Sequence, residues 1–407
     1  MDQHGAHPVT RRRLLELGGL LSVSWAGGLL LPSALRPSSA GMVADATSFL
    51  IDAYATRSRA ATTGDASLLD PLYDTANPAL LAFEKDRARF MARGIGARWG
   101  GTIEQHASAV SVLDVAPASD GVRARIIDRV TSTWHPNGVT ASTRPAALTA
   151  RQPAKYAAPP LREINSLAGI RHEVTLSRSS GGWRIQRDEH DEWFLYGRSP
   201  DLRPGAWAAT QYGVRHDIDA PRMLSKSSVK PAPTGRAGLA RPLGYTFYYM
   251  DSVNYAHTYC FSYNGSYCNY NYCGGDCANF VSQSLRAGGH WDANGWGTYW
   301  GDCCSGASGV QLGTYAWVNN EGLRNFVINQ GRGNAAPDVT WMGYADLINY
   351  DWNGDGIYDH VCLVTYPWVS ASNPALITCH NNDLYDYPWD LGAVYNLFTY
   401  TYVDFAQ

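Results

Sequence analysis

The sequence predicts an α+β protein built of two chemically different bodies, and three observations carry that reading. The first is hydrophobic periodicity. Apolar residues recur with helical spacing from Ala46 to about Ala97, and from Gly101 onward they alternate as strands do. Helices followed by a run of strands is the order of an α+β domain rather than of repeated β-α units. The second is length, since 407 residues exceed what one hydrophobic core usually holds. The third is charge. Residues 1–244 carry 30 of the 33 Lys and Arg against 22 acidic residues, a balance of +8, whereas residues 245–407 carry 3 against 14, a balance of −11. All 8 Cys and 20 of the 25 Tyr also fall after residue 244. The acidic body is a poor partner for nucleic acid, whose phosphates need a basic face. Four segments are expected: an export signal over 1–46, an α+β domain over 47–198, a Pro-rich linker over 199–244 and a second domain over 245–407.

The first segment has Arg11-Arg12-Arg13 ahead of an apolar run that ends at Leu31 and Pro32. Gly18, Gly19, Gly27 and Gly28 interrupt that run, so it is a poor stable membrane span and has the order of a cleaved signal. The Arg pair followed by Leu14 and Leu15 resembles a twin-arginine export signal. The expected location is therefore outside the cytoplasm, secreted or associated with the cell wall, where disulfides persist.

In the second segment, Phe49-Leu50-Ala53-Tyr54 and Leu80-Leu81-Phe83 mark helices, with Gly94 and Gly96 as stops. Alternation predicts strands within 101–114, 122–134, 171–177 and 182–193, with a hairpin over Gly181–Gln186. This element order resembles the cone-shaped nuclear transport factor 2-like domains. Asp188-Glu189-His190-Asp191-Glu192 reads as a solvated charge run, and Pro200, Pro204, Pro221, Pro231, Pro233 and Pro242 mark the linker.

Chemistry concentrates after Tyr245. Asp276 is a good N-cap and Gly288 or Gly289 a good C-cap, so Cys277 should open a helix. A thiol there meets the positive end of the helix dipole, which favours thiolate; the alternative is a disulfide partner like other cysteines of this body. His360 opens the apolar strand His360-Val361-Cys362-Leu363-Val364, and a further strand, Leu376-Ile377-Thr378-Cys379, ends in His380-Asn381-Asn382-Asp383. A Cys nucleophile needs a His as base and acid, and the His needs a third group to hold its tautomer. These three segments supply all three kinds of group.

Asp276-Cys277 with Phe280-Val281, Asp346-Leu347-Ile348 and His360-Val361 resembles the papain-like cysteine hydrolases of the NlpC/P60 and CHAP type. Tyr255-Ala256, Gly274 to Gln283, Trp317-Val318-Asn319, Gly331-Arg332-Gly333 and His380 to Asp383 are similar to the bacterial Putative amidase domain family. The resemblance implies a papain-like domain with its nucleophile helix packed on an antiparallel sheet, preceded by the smaller cone-like α+β domain. It also implies amide hydrolysis through a Cys277 acyl-enzyme. His360 would be the base. Tyr272 and Asp276 would lie on the oxyanion and substrate side, and no cofactor is required for the chemistry. The natural substrate is then a peptide or a peptidoglycan-derived fragment. The competing expectation is a non-catalytic module of the same fold that grips glycan or peptide; acyl transfer to an amine is a third.

The third catalytic group stays open. His380 matches the related families best, and in an extended chain Asn382 shares its face while Asn381 does not. Strand parity adds a condition. His360 and Cys362 share a face, whereas Cys379 and His380 do not, so if His360 and His380 meet, Cys362 and Cys379 should not bridge unless a bulge intervenes, and if they do bridge, Asn381 is the better third group. Bridges Cys260–Cys268, and Cys273 with Cys303 or Cys304, are expected among the remaining cysteines. Finally, Asp351-Trp352-Asn353-Gly354-Asp355-Gly356 has the spacing of half an EF-hand loop, with Asp351, Asn353, Asp355 and Asp359 as candidate ligands of a structural Ca2+. Cys362 stands where such a loop carries its bidentate Glu. Trp291, Trp296, Tyr299 and Trp300 are candidates for a substrate groove or for the core.

Overall fold

The structure is a computed structural model that describes residues 39–89, 91–92, 101–119, 121–136, 153–190, 247–272, 275–290, 292, 295–350, 357–358, 360–381, 383–389 and 398–402. The calcium-loop residues Asp351, Asn353, Asp355 and Asp359 lie outside the described residues, as do Asn382, the linker 199–244 and residues 1–38. Ser39–Gln407 form one compact unit. Among the described residues no helix is long and apolar enough to cross a membrane.

Helix α1 (Ser39–Thr63) starts within the stretch expected to belong to the export signal, with Ala46 already fully buried. It and α2 (Pro78–Arg89) cover one face of four long strands: β1 (Gly101–Ala118), β2 (Gly121–Pro136), β3 (Ile164–Ser179) and β4 (Gly182–His190). Alternate burial along β2 puts Val122, Ala124 and Ile126 against Leu50, Ala53 and Tyr54 of α1. The β3–β4 turn is the expected hairpin, and Gly182 takes φ 102° there, a conformation open to glycine.

The remaining elements are the short α3 (Pro153–Tyr156), α4 (Tyr249–Tyr259), α5 (Cys277–Ala287), β5 (Thr298–Gly301), β6 (Val310–Gly313), α6 (Tyr315–Val318), α7 (Asn320–Asn329), β7 (Asn334–Ala336), β8 (Leu347–Tyr350), β9 (His360–Tyr366), β10 (Leu376–Cys379), β11 (Asp383–Pro388) and β12 (Phe398–Tyr402). A ten-stranded sheet runs β1-β2-β3-β11-β10-β9-β8-β12-β7, with β4 also on β3. Its ladders are antiparallel. The mixed α and β content with an antiparallel sheet agrees with the expected α+β class.

The two expected bodies are continuous in this sheet. β3 is longer than β4: residues 172–179 pair with β4, and residues 167–169 pair with Asp383–Tyr385 of β11. An edge left bare at 167–169 would present unpaired N–H and C=O groups, and β11 covers it. One core accordingly joins Val130, Trp134 and Ile164 to Ile348, Cys362, Cys379 and Tyr387. Charge follows the same seam. Lys155 Nζ meets Asp346 Oδ1 at 2.7 Å, with both side chains buried, and Arg171 meets Asp383 at 3.3 Å. Part of the basic and acidic asymmetry is thus complementarity between two surfaces that pack on each other.

The expected solvated charge run is a correction. Asp188, Glu189 and His190 are buried, because Asp188 accepts hydrogen bonds from Tyr54 Oη at 2.8 Å and from the His172 ring at 2.7 Å. Arg57 lies 3.8 Å from Asp188 and forks onto Glu84 at 2.7 and 2.8 Å. These partners are far away in sequence, which is why the run looks like a surface when read alone.

Gly288 ends α5 where the start of α4 crosses it. A Cβ there would sit 2.2 Å from Ser252 Oγ and 3.0 Å from the Tyr248 carbonyl oxygen. Gly288→Ala should therefore lower stability by about 1–3 kcal/mol through overpacking, read as a shift of the denaturant midpoint. An unchanged midpoint would show that α4 has room to move.

Candidate active site

Cys277 is the first residue of α5 and is fully buried, as the capping pattern predicts. Ala278, Phe280, Val281 and Leu285 of α5 pack with Leu347 of β8 and with Val361 and Leu363 of β9, which fixes the helix on the sheet. Asp276 occupies the N-cap position, but its carboxylate does not cap the helix. Oδ1 accepts from the Tyr270 N–H at 2.9 Å and from Asn279 Nδ2 at 2.8 Å, while Oδ2 lies 2.7 Å from His380 Nδ1. The other nitrogen of His380 lies 2.9 Å from the Tyr259 carbonyl oxygen, and the ring stacks on Phe280 with centroids 4.0 Å apart. His380 therefore ties the start of α5 to the end of α4.

Asn381 follows with φ 68°, a left-handed conformation that Asn tolerates better than most side chains. The turn aims its amide at the helix start, where Oδ1 accepts from the Asp276 N–H and Nδ2 donates to Asn271 Oδ1 at 3.0 Å. Asp276, His380 and Asn381 form one buried cluster.

His360 stands in a second cluster. β8 and β9 pair so that Tyr350 faces His360, closing the connection that carries the candidate calcium ligands. His360 Nε2 lies 3.5 Å from Cys379 Sγ, and Cys362 hydrogen-bonds Cys379. The charge of Cys277 acts on Cys362, but α5 packs on Val361 and Leu363, the face of β9 opposite to Cys362. Cys362 and Cys379 face each other as free thiols rather than as a bridge: His380 points to Asp276, Cys379 is the group against His360, and Asn381 reaches the helix start. Cys379 is the residue that sequence reasoning did not assign, although the alternation argument contained it. Tyr272 ends a short 3-10 turn, Tyr270–Tyr272, just before the helix.

Electrostatics separate the two thiols. Burial pushes Cys379 up, but the Cys362 and His360 hydrogen bonds and the charges of His360 and His380 outweigh it and bring its pKa down to about 6. Cys362 is pushed well up by burial, by its bond to Cys379, and by the charges of Cys379 and Cys277. For His380, burial lowers the pKa, but the hydrogen bond and charge of Asp276, helped by Asp383 and the Tyr259 carbonyl, raise it on balance. A raised histidine pKa adds stability that is fully present below the unfolded value of about 6.5 and is lost as pH rises through the folded value. The stability difference between the wild type and His380→Gln should therefore shrink as pH rises above about 6.5. Denaturant midpoints across that range test this, and a constant difference would rule the pair out as a titrating clamp.

The cysteine pairing differs from expectation. Cys268 bonds Cys303, not Cys260, and Cys304 is disulfide-bonded as well. Cys260 is a free buried thiol 3.2 Å from the Leu384 carbonyl oxygen. Its position at the end of α4 packs it against β11, away from the loop that Cys268 and Cys303 staple. Cys273 lies outside the described residues. Of the candidate groove aromatics, Trp296 is core, stacked on Phe326 at 5.4 Å and close to Trp317 at 4.5 Å. Tyr299 and Trp300 are exposed on β5, and Trp291 is outside the described residues.

Residues 248–403 match the family model described as Putative amidase domain. No curated protein matches the chain. Among solved structures, the intermembrane space region of the chloroplast protein ARC6 is 18% identical, covering 36% of this chain and 95% of that one, with a TM-score of 0.23. So slight a likeness carries neither fold nor function. The family match supports an amidase-domain family, and with it amide hydrolysis, for the part of the chain that holds Cys277, His360 and His380.

Proposed function

We propose that this protein is an exported, cysteine-dependent amidase or peptidase of the papain-like, NlpC/P60-related type, acting on an amide bond in cell-wall peptide. The observation that carries the proposal is the place of Cys277: a buried thiol at the first position of an amphipathic helix, inside the matched region. The N–H groups of the first helical turn and the positive end of the dipole favour a thiolate there and an oxyanion next to it.

In this mechanism Cys277 Sγ attacks the substrate carbonyl, and the tetrahedral oxyanion rests on the backbone N–H of Cys277 with Tyr272 on the same side. His360 takes the thiol proton and gives it to the leaving amine, and water then hydrolyses the thioester with His360 as base. Cys379 steadies the His360 ring. His380 is a positioning residue, which holds Asp276 and hence the helix start. Tyr299 and Trp300 offer exposed aromatic faces for the peptide or glycan part of the substrate. A Ca2+ ion held by Asp351, Asn353, Asp355 and Asp359 would brace the connection into His360 and take no part in bond cleavage.

The test is the release of new amines from peptidoglycan-derived peptides by the wild-type chain and by Cys277→Ala, together with mass spectrometry of the trapped thioester. Amine release that persists in Cys277→Ala would sink the cysteine mechanism. No release by either chain, with binding retained, would leave a glycan- or peptide-binding module.

A further inference from the structure

We infer that His360, Cys362 and Cys379 form a binding site for a soft divalent cation, Zn2+, buried in the core that also holds Ile348 and Val364. His360 and Cys362 are two apart on β9 and project to one face, and Cys379 comes from the neighbouring strand β10 on that same face. The three ligand atoms lie within 4.8 Å of one another, and all three residues are buried, at 4%, 0% and 0% exposure.

Distances and chemistry agree with zinc. With Zn–S near 2.3 Å and Zn–N near 2.0–2.1 Å, tetrahedral ligands sit about 3.4–3.8 Å apart. His360 Nε2 and Cys379 Sγ are already 3.5 Å apart. Two sulfurs and one imidazole select Zn2+ over Ca2+ or Mg2+, which prefer oxygen. Binding releases the Cys362 thiol proton, and any still held by Cys379, to solvent and changes no oxidation state, and one water completes the fourth position. The other cysteine group, Cys268, Cys303 and Cys304, has its sulfurs committed to disulfides and offers no thiolate. The strands impose the geometry: a one-residue slip of β10 would replace Cys379 by Thr378 or His380 on this face.

Zinc at this site occupies His360 Nε2 and so withdraws the base of the proposed hydrolase, a consequence that rests on the reading above. Metal binding itself does not. The full chain, with its disulfides left intact, is stripped of metal without oxygen and titrated with Zn2+ against a chromophoric chelator, in excess Ca2+, as wild type and as Cys277→Ala. Each should hold one equivalent. Cys362→Ser and Cys379→Ser should each weaken binding by on the order of 100-fold, since even outer-shell changes cost 10–100-fold. A measurement without mutation accompanies them: Co2+ added to the wild type should give thiolate-to-metal charge-transfer absorption. Absence of that band, zinc retained unchanged by both Ser variants while they stay folded, or zinc lost in Cys277→Ala, would each overturn the site. So would a Cys362–Cys379 disulfide that forms in air despite saturating Zn2+. A protein that is inactive even when stripped of zinc, yet binds zinc through these residues, would overturn the hydrolase and leave this site standing.

Discussion

Cys277→Ala should lower amide hydrolysis by on the order of 10,000-fold or more, with little loss of substrate binding. Removing the nucleophile of a catalytic unit takes away the covalent path, and what remains comes from the oxyanion site and from binding. The expected split is therefore a collapse of kcat with KM nearly unchanged. Stability should move little by comparison. Sγ to hydrogen is a small deletion at a buried position at the edge of an apolar cluster, worth about 1 kcal/mol or somewhat more. Single-turnover kinetics with an activated amide, alongside a thermal melt, separate the two effects. A fall below tenfold in kcat would return Cys277 to the role of a packed structural thiol. His380→Gln makes the contrasting variant. It leaves the nucleophile in place and loosens Asp276, so its loss should be partial and accompanied by a changed pH profile.

Asp346→Ala should cost about 3–5 kcal/mol of stability, enough to threaten folding of a protein with an ordinary margin. Its carboxylate meets Lys155 at 2.7 Å with Lys155 2% and Asp346 0% exposed, and its second oxygen accepts from the Gly343 N–H at 2.6 Å. Removing it leaves a buried ammonium without its counter-charge. The packing around the pair is also tight, since a Cβ on Gly343 would fall 2.5 Å from the Tyr156 ring. Lys155→Met should cost a similar amount by stranding the carboxylate. The double variant Lys155→Met with Asp346→Leu should recover most of the loss, because neither charge is then left in the core. Chemical denaturation of the four chains forms the thermodynamic cycle, and strictly additive losses would show that the pair does not hold the seam.

The seam also shows where sequence reasoning stops. Helix order, strand alternation and the Cys277 helix were all legible in the chain, because each depends on residues within a few positions of one another. Gly288 as its C-cap was legible for the same reason. The N-cap was half legible: Asp276 sits where its type predicts, but its carboxylate leaves the helix for His380, 104 residues on. Asp188 looked like surface because Tyr54, Arg57 and His172, which meet its carboxylate, come from other elements.

By itself, the sequence determined which residues are candidates: a thiol at a helix start, histidines at one strand's beginning and another's end, and the parity that separates Cys379 from His380. Only the tertiary structure decided which of these meet. Strand pairing set Cys379 and Cys362 beside His360, and sent His380 to Asp276. The extra length of β3 joined two bodies of opposite charge into one sheet. The physical reason is common to all three: periodicity fixes the face on which a side chain lies, whereas register and edge pairing choose the neighbour it finds there.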